Sequence, residues 1–472
     1  MNDMTQTDIG LTGTLAAMRK AHSEAPEVSL ATRKDRLNRL EQALLEWEPK
    51  LIEAISADFS YRNPAESANF DITLPIGAIR HTRRNLRKWM KPQKVHVPMH
   101  MMPAKGRIYP QPLGVIGVIS PWNFPVNLAI IPSAEALAAG NRVMLKPSEL
   151  TPRTSEVLAE MVASTFDPLE FTVINGGLDV AAEFSALPFD HLLFTGSTNV
   201  GRIVAETAAR NLTPVTLELG GKSPVILGEH GDIARAAERV VFGKCSNAGQ
   251  ICLAPDYALV PRAKMAEFVA KVKETIDSFY PDFGASSDYG ALIDDRHLNR
   301  LQAMVEEARA QGAEVIQGSG SAQNGERKMS PTIIVDPSLD SAVMQEEIFG
   351  PILPVIPYDS VEQAQQLVNS RARPLALYVF SNSKAEWQSW LSVTTSGGAC
   401  VNETLFHAAM DTLPFGGVGP SGSGAYHGKK GFETFSHMKS VMIQPKLNGM
   451  FLFNPPKTKL KRLVGHTFRK LV

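Results

Sequence analysis

The sequence has little of several things that would settle a function early. Among 472 residues there are only three cysteines, Cys245, Cys252 and Cys400, and their number and spacing support neither a disulfide framework nor a zinc site. No metal is therefore expected. Lys plus Arg equals Asp plus Glu at 48 each, so no net charge draws the chain to nucleic acid. No uncharged apolar run reaches the roughly 18 residues that suggest an integral membrane segment. The opening MNDMTQTDIG lacks the basic-then-apolar order of a signal peptide. With reduced thiols, these absences predict a cytoplasmic protein. A strand-linked GxGxxG fingerprint is missing as well.

What remains is ordinary globular composition, 44% apolar and 20% charged, in a chain long enough for more than one domain. From Gly106 onwards, short apolar runs such as GVIGVI, RVMLKP, HLLFTG and PVTLEL alternate with amphipathic stretches such as SEVLAEMVASTF and VGRIVAETAAR. That alternation predicts an α/β protein with a doubly wound parallel sheet covered by helices on both faces. After the Leu219-Gly220-Gly221 turn it restarts with SPVILG, YALVP, TIIVD and LPVIPY, which predicts a second α/β domain and a site between the two. Residues from about Ser29 to Trp89 have a helical pattern. The proline-bearing segment from Lys91 to Pro112 reads as an extended ribbon rather than a central strand.

Three separated motifs carry reactive groups. Cys252 in GQICLAPDY stands between a helical pattern and the Pro255 break, where a thiol can face a cleft; a small buried hydrophobe is the plainer reading. Glu218 ends the apolar strand PVTLEL, at the carboxyl edge where parallel sheets collect ligands, and suits a general base or simply a solvated carboxylate. Asn123 in SPWNFP is either a turn residue or an amide donor for a developing oxyanion. In HLLFTGSTNVGRIV, Gly196 and Ser197 fall at a strand end and Gly201 early in the next helix, where a helix start can hold a pyrophosphate. Lys146 and Glu149 follow the strand RVMLKP and offer a cation and a carboxylate for ribose hydroxyls, or a surface ion pair.

The motifs SPWNFP, LKPSE, FTGS, LELGGKSP, GQICLAPD, EEIFGPILPV and PFGGVGPSG occur in one order across residues 107 to 424. In this the chain resembles the aldehyde dehydrogenase superfamily, and its C-terminal GAYHGKKGFETFSH looks most like the class 3 branch. The resemblance implies a nucleotide-binding domain over 1–93 and 112–219, a catalytic domain over 220–424, and an oligomerisation region over 94–111 and 425–472. It implies Cys252 as nucleophile, Glu218 as base and Asn123 as part of an oxyanion hole. Trp122, Lys146, Glu149, Gly196, Ser197, Gly201, Glu347 and Phe349 would bind the cofactor, NAD with NADP possible. The implied substrate is a small aldehyde, aromatic of the coniferyl type or medium-chain aliphatic, and the implied assembly a homodimer. Phe124, Ile251, Leu405 and Ala409 are candidates for the aldehyde pocket. A CoA-acylating semialdehyde dehydrogenase, an inactive binding protein on the same fold and a cysteine hydrolase are the competing readings. The first has no need of Glu218, the second none of the reactive trio, and the third leaves the Lys146, Gly196 and Glu347 motifs unused.

Overall fold

A computed structural model describes residues 10–322 and 326–468; the first nine and last four residues of the domain assignment lie outside it. Helices Gly10–Glu24, Leu30–Asp58 and Leu74–Trp89 form the N-terminal arm; the last two fall in the stretch from Ser29 to Trp89 that the pattern predicts, and the first precedes it. Ser29 caps the second of them, its hydroxyl accepting from the Thr32 N–H at 3.1 Å and so satisfying one of the donors a helix start leaves open.

Strands β1 (Gln93–Val95) and β2 (Lys105–Pro112) come next. β3 (Val115–Ile119), β4 (Arg142–Lys146), β5 (Phe171–Val173), β6 (His191–Thr195) and β7 (Val215–Glu218) alternate with helices and lie parallel in the order β7-β6-β3-β4-β5. The order reverses between β3 and β6, so the two strand ends there open a crevice. Beneath it the helix Asn127–Ala138 is buried almost all round, in keeping with a mostly apolar sequence interrupted by Ser133 and Glu135.

A second sheet holds β8 (Pro224–Leu227), β9 (Tyr257–Pro261), β10 (Glu314–Gln317), β11 (Thr332–Val335), β12 (Ile352–Tyr358), β13 (Ala376–Phe380) and β14 (Gly398–Val401) in the order β10-β11-β12-β9-β8-β13-β14. All its neighbours are parallel except β10 with β11. The short β15 (Gly422–Ser423) returns to the first sheet and pairs antiparallel with β7, opposing Gly422 to Glu218. Those two residues, which the sequence reading puts at the end of the catalytic segment, thus complete the nucleotide-side sheet.

β16 (Ser436–Ile443) runs antiparallel to β2 over eight residue pairs, with β1 on the other side. β2 is therefore the central strand of a three-stranded ribbon, contrary to the reading from its prolines. The reason is that β1 opposes only Gly106 to Ile108. Pro110 and Pro112 lie beyond it, so their missing N–H groups break no bond to β1.

Between the arm helices, the chain places two fully buried ions face to face. Arg62 Nη1 lies 3.0 Å from an Asp71 carboxylate oxygen and donates at 3.0 Å to the carbonyl of Asn123. The other Asp71 oxygen accepts the N–H groups of Val126 and Asn127, both at 3.1 Å. Removing one member of such a pair strands the other charge, at a cost of about 3–5 kcal/mol. Arg62→Met should lower the urea midpoint accordingly, and Asp71→Asn added to it should restore part of the loss.

Candidate active site

The helix Ile233–Cys245 delivers the nucleophile loop. Its continuation bends through Asn247, Ala248 and Gly249, with φ of 47°, 50° and 77° in succession. Two of the three are not glycine, so the turn carries strain that its surroundings must hold. They do so through hydrogen bonds. Asn247 donates its backbone N–H to Glu66 at 2.6 Å and its side-chain amide to the Asn123 carbonyl at 3.0 Å. Gln250 is buried and donates to the Asn247 and Ala291 carbonyls at 2.9 and 3.1 Å, while its oxygen accepts from Ile293 at 2.9 Å. Cys252 follows, half-buried.

Asn123 lies just past the carboxyl end of β3. Its side-chain nitrogen donates to the Gln250 carbonyl at 3.0 Å, which ties this carboxamide to the cysteine loop. One of the two amide hydrogens is used in that bond, and the other is left for a ligand. Trp122 packs edge-on against Phe349 with ring centres 5.3 Å apart and against His297 at 5.1 Å. Phe349 stands at φ 50°. Phe124 sits under Arg62, whose guanidinium is 4.7 Å from its ring centre.

Two carboxyls flank the thiol. Glu218, at the end of β7, is buried and neither of its oxygens has a hydrogen-bond partner in the protein; burial pushes its pKa well above the usual carboxylate range. Glu347 accepts the Gly221 N–H at 3.0 Å. It rests against Gly220 so closely that a Cβ there would come within 2.1 Å of its oxygen, so a larger residue at that turn would push the Glu347 carboxyl aside. Burial raises the Glu347 pKa to about 7. The Cys252 thiol is pushed up strongly, by burial first and then by the charges of Glu347 and Glu218, while the N–H groups of Cys252 and Leu253 act the other way. At Cys252 these surroundings favour the thiol over the thiolate.

The nucleotide-side residues gather along the carboxyl edge of the first sheet. Lys146 is buried with its ammonium on the Pro147 carbonyl at 2.7 Å and 3.9 Å from Glu149. The Gly196 N–H donates to the Glu218 carbonyl at 3.0 Å, joining β6 to β7. Ser197 caps the helix Thr198–Ala209 through Val200. Gly201 behaves differently from the rest. Its N–H is taken by the Ser197 carbonyl, and a Cβ at 201 would meet the Leu219 side chain at 2.6 Å. It lets the helix approach β7; the free donors lie one turn earlier.

Arg62, Asp71, Asn247 and Gln250 support the site but carry no sequence signal of it, because their bonds join segments far apart in the chain. A cluster of Phe415, Tyr426 and His427 also escaped the sequence reading. Phe415 stacks on His427 at 5.1 Å and Tyr426 meets His427 at 4.5 Å, and Tyr426 feels the charges of Glu218 and Cys252. Leu405, at φ 60°, and Ile251 are buried beside the loop, whereas Ala409 is exposed. Among the described residues no group of three or more His, Cys, Asp or Glu is placed to hold a metal ion.

A thiol, a carboxamide and two carboxyls thus stand beside a doubly wound parallel sheet of the nucleotide-binding kind. The sequence profile of the aldehyde dehydrogenase family matches residues 3–441, and the chain belongs to that family. It is similar to a probable coniferyl aldehyde dehydrogenase of Pseudomonas aeruginosa, 46% identical over 96% of this chain and 95% of that one. A coniferyl aldehyde dehydrogenase of a Pseudomonas species is 47% identical over 91% and 90%. In three dimensions it resembles a structure described as the substrate-bound state of Staphylococcus aureus AldH, with a TM-score of 0.92, 37% identity, and 96% and 98% coverage. The protein is an aldehyde dehydrogenase.

Glu347 charges as pH rises through about 7, and its charge then raises the pKa of Cys252. Glu347→Gln should therefore alkylate faster than wild type at pH 8, by roughly severalfold, since each pKa unit is tenfold in thiolate. Below pH 6 the wild-type carboxyl is protonated and the two rates should converge. Iodoacetamide incorporation at Cys252, followed by peptide mass, measures both; a slower variant at pH 8 would make Glu347 the thiol's proton acceptor.

Proposed function

We propose that the protein oxidises an aromatic or medium-chain aldehyde to its carboxylic acid with NAD, with NADP as a possible substitute, through a thioester on Cys252. The observation that supports this most is the tie between the Asn123 amide and the Gln250 carbonyl. It brings an amide donor to the loop of a thiol that also has a buried carboxyl beside it.

The dinucleotide fits the residues present. The open start of the helix Thr198–Ala209, with Gly196 and Ser197 before it, offers N–H groups to a pyrophosphate. Val200 and Ile203 are exposed apolar side chains on that helix and offer a face to a flat base. Lys146 and Glu149 stand at the end of β4 for ribose hydroxyls, and Glu347 and Phe349 stand near the thiol for the second ribose. When bound, the nicotinamide ring accepts the hydride that leaves the substrate.

The chain's own part follows from its geometry. The Cys252 thiol first gives its proton to water, its sulfur then adds as the thiolate to the carbonyl carbon, and the oxyanion so formed is stabilised by the remaining Asn123 amide hydrogen and the Cys252 N–H. Loss of hydride leaves the thioester. Glu218 then takes a proton from water, the hydroxide adds to the thioester, and the thiolate leaves with release of the acid. A carboxyl held neutral by burial must first ionise for this role, so the base becomes competent when water reaches it. The Phe415, Tyr426 and His427 cluster supports an aromatic substrate. The exposed Val95, Met442 and Ile443 of the ribbon support a homodimer.

Cys252→Ala should abolish oxidation of a panel of aromatic and aliphatic aldehydes while leaving dinucleotide binding intact by titration. Glu218→Gln should release a burst of NADH close to one per site and then turn over slowly as the acyl-enzyme accumulates, visible by intact mass. No burst, or rescue by CoA, would overturn this division of labour. Because Glu149 repels a 2′-phosphate, Glu149→Gln should raise the NADP to NAD ratio of kcat/KM; an unchanged ratio would remove it as the ribose reader.

A further inference from the structure

Residues 434–472 contain no Asp or Glu, although the whole sequence carries as many acids as bases. The cations concentrate in this part. Lys457, Lys459, Lys461 and Arg462 fall within residues 457–462, at the start of the helix Lys459–Phe468. Along that helix Leu460, Leu463, Val464 and Phe468 recur at the spacing that gathers apolar residues on one side. Lys459 and Lys461 fall at the two borders of that side, and Arg462 with His466 on the opposite one.

The two leucines of the apolar side stand out from the body of the protein. Leu460 and Leu463 are 64% and 63% exposed. The helix packs chiefly against the short turn Met450–Phe453, where Phe451 is 61% exposed, and Leu447 just before it is 89% exposed. No helix of the described residues is long and apolar enough to cross a membrane. Nothing here spans, yet a short apolar stripe bordered by lysines on both sides suits a helix lying in the plane of a headgroup layer, its leucines below the phosphates and its ammonium groups level with them.

We propose that residues 446–468 form a docking surface for an anionic phospholipid bilayer. Charge complementarity selects this occupant, because a run of cations without a single anion matches a uniformly negative surface. A protein partner, including a second copy of this chain, presents charges of both signs. The contact is reversible, since one short stripe and a few cations give only modest binding. Aldehydes that partition into membranes would then be met at their source.

The test uses the full chain with vesicles of phosphatidylcholine alone or mixed with phosphatidylglycerol, separated by flotation. Wild type should float only with the phosphatidylglycerol vesicles and be released as salt rises to 0.5 M. Lys461→Glu with Arg462→Glu, and separately Leu460→Ser with Leu463→Ser, should each weaken binding at least about tenfold. Their turnover of a water-soluble aldehyde should be unchanged, which shows that each variant is folded. Equal binding to both vesicle types, no binding, or binding undiminished in both variants would overturn the proposal. So would a fall in assembly mass by light scattering in the variants with no effect on vesicles, which would make a second copy the occupant.

Discussion

The ion pair between Arg62 and Asp71 is the contact on which the site is assembled. Neither ion meets solvent, and each also reaches the segment that follows β3: Arg62 through the Asn123 carbonyl, Asp71 through the N–H groups of Val126 and Asn127. Asn247 reaches the same carbonyl from the nucleophile loop. One backbone oxygen therefore serves the N-terminal arm and the cysteine loop together. A hydrophobic pair of the same volume would pack as well, but it could not fix the direction of a carbonyl or hold a left-handed turn in place.

The electrostatics of the site run against the chemistry until a ligand arrives. Burial keeps Glu218 neutral and the Cys252 thiol protonated, and Glu347 sits between its two forms near neutrality. Three acidic groups close together cannot all ionise, so a proton lost by one is opposed by the others. The site is thereby quiet toward oxidants and alkylating agents at rest, and its reactivity depends on what enters the crevice.

Much of this was legible in the residues. The alternation of apolar runs gave the parallel sheets, the Gly220-Gly221 turn lies at the junction of β7 and β8, and the ordered motifs marked the family. What escaped has a common cause. The central place of β2 depends on β16, which is more than three hundred residues away. The roles of Arg62, Gln250 and the Tyr426 and His427 cluster depend on contacts between distant segments. Gly201 shows a local limit: glycine near a phosphate loop and glycine under a packed leucine look identical until the helix is set against its strand.

The pairing of β15 with β7 has a consequence for how the enzyme comes into being. Glu218 is synthesised near the middle of the chain, but the strand that covers the open edge beside it, opposing Gly422 to Glu218, is translated some two hundred residues later. β16, which completes the ribbon with β2, comes later still. A nascent chain that has made all its reactive residues therefore still carries an unfinished sheet edge, the kind of surface that invites wrong pairing. Closure of that edge waits for β15, so the sheet beside Glu218 is complete only after some two hundred further residues have been made.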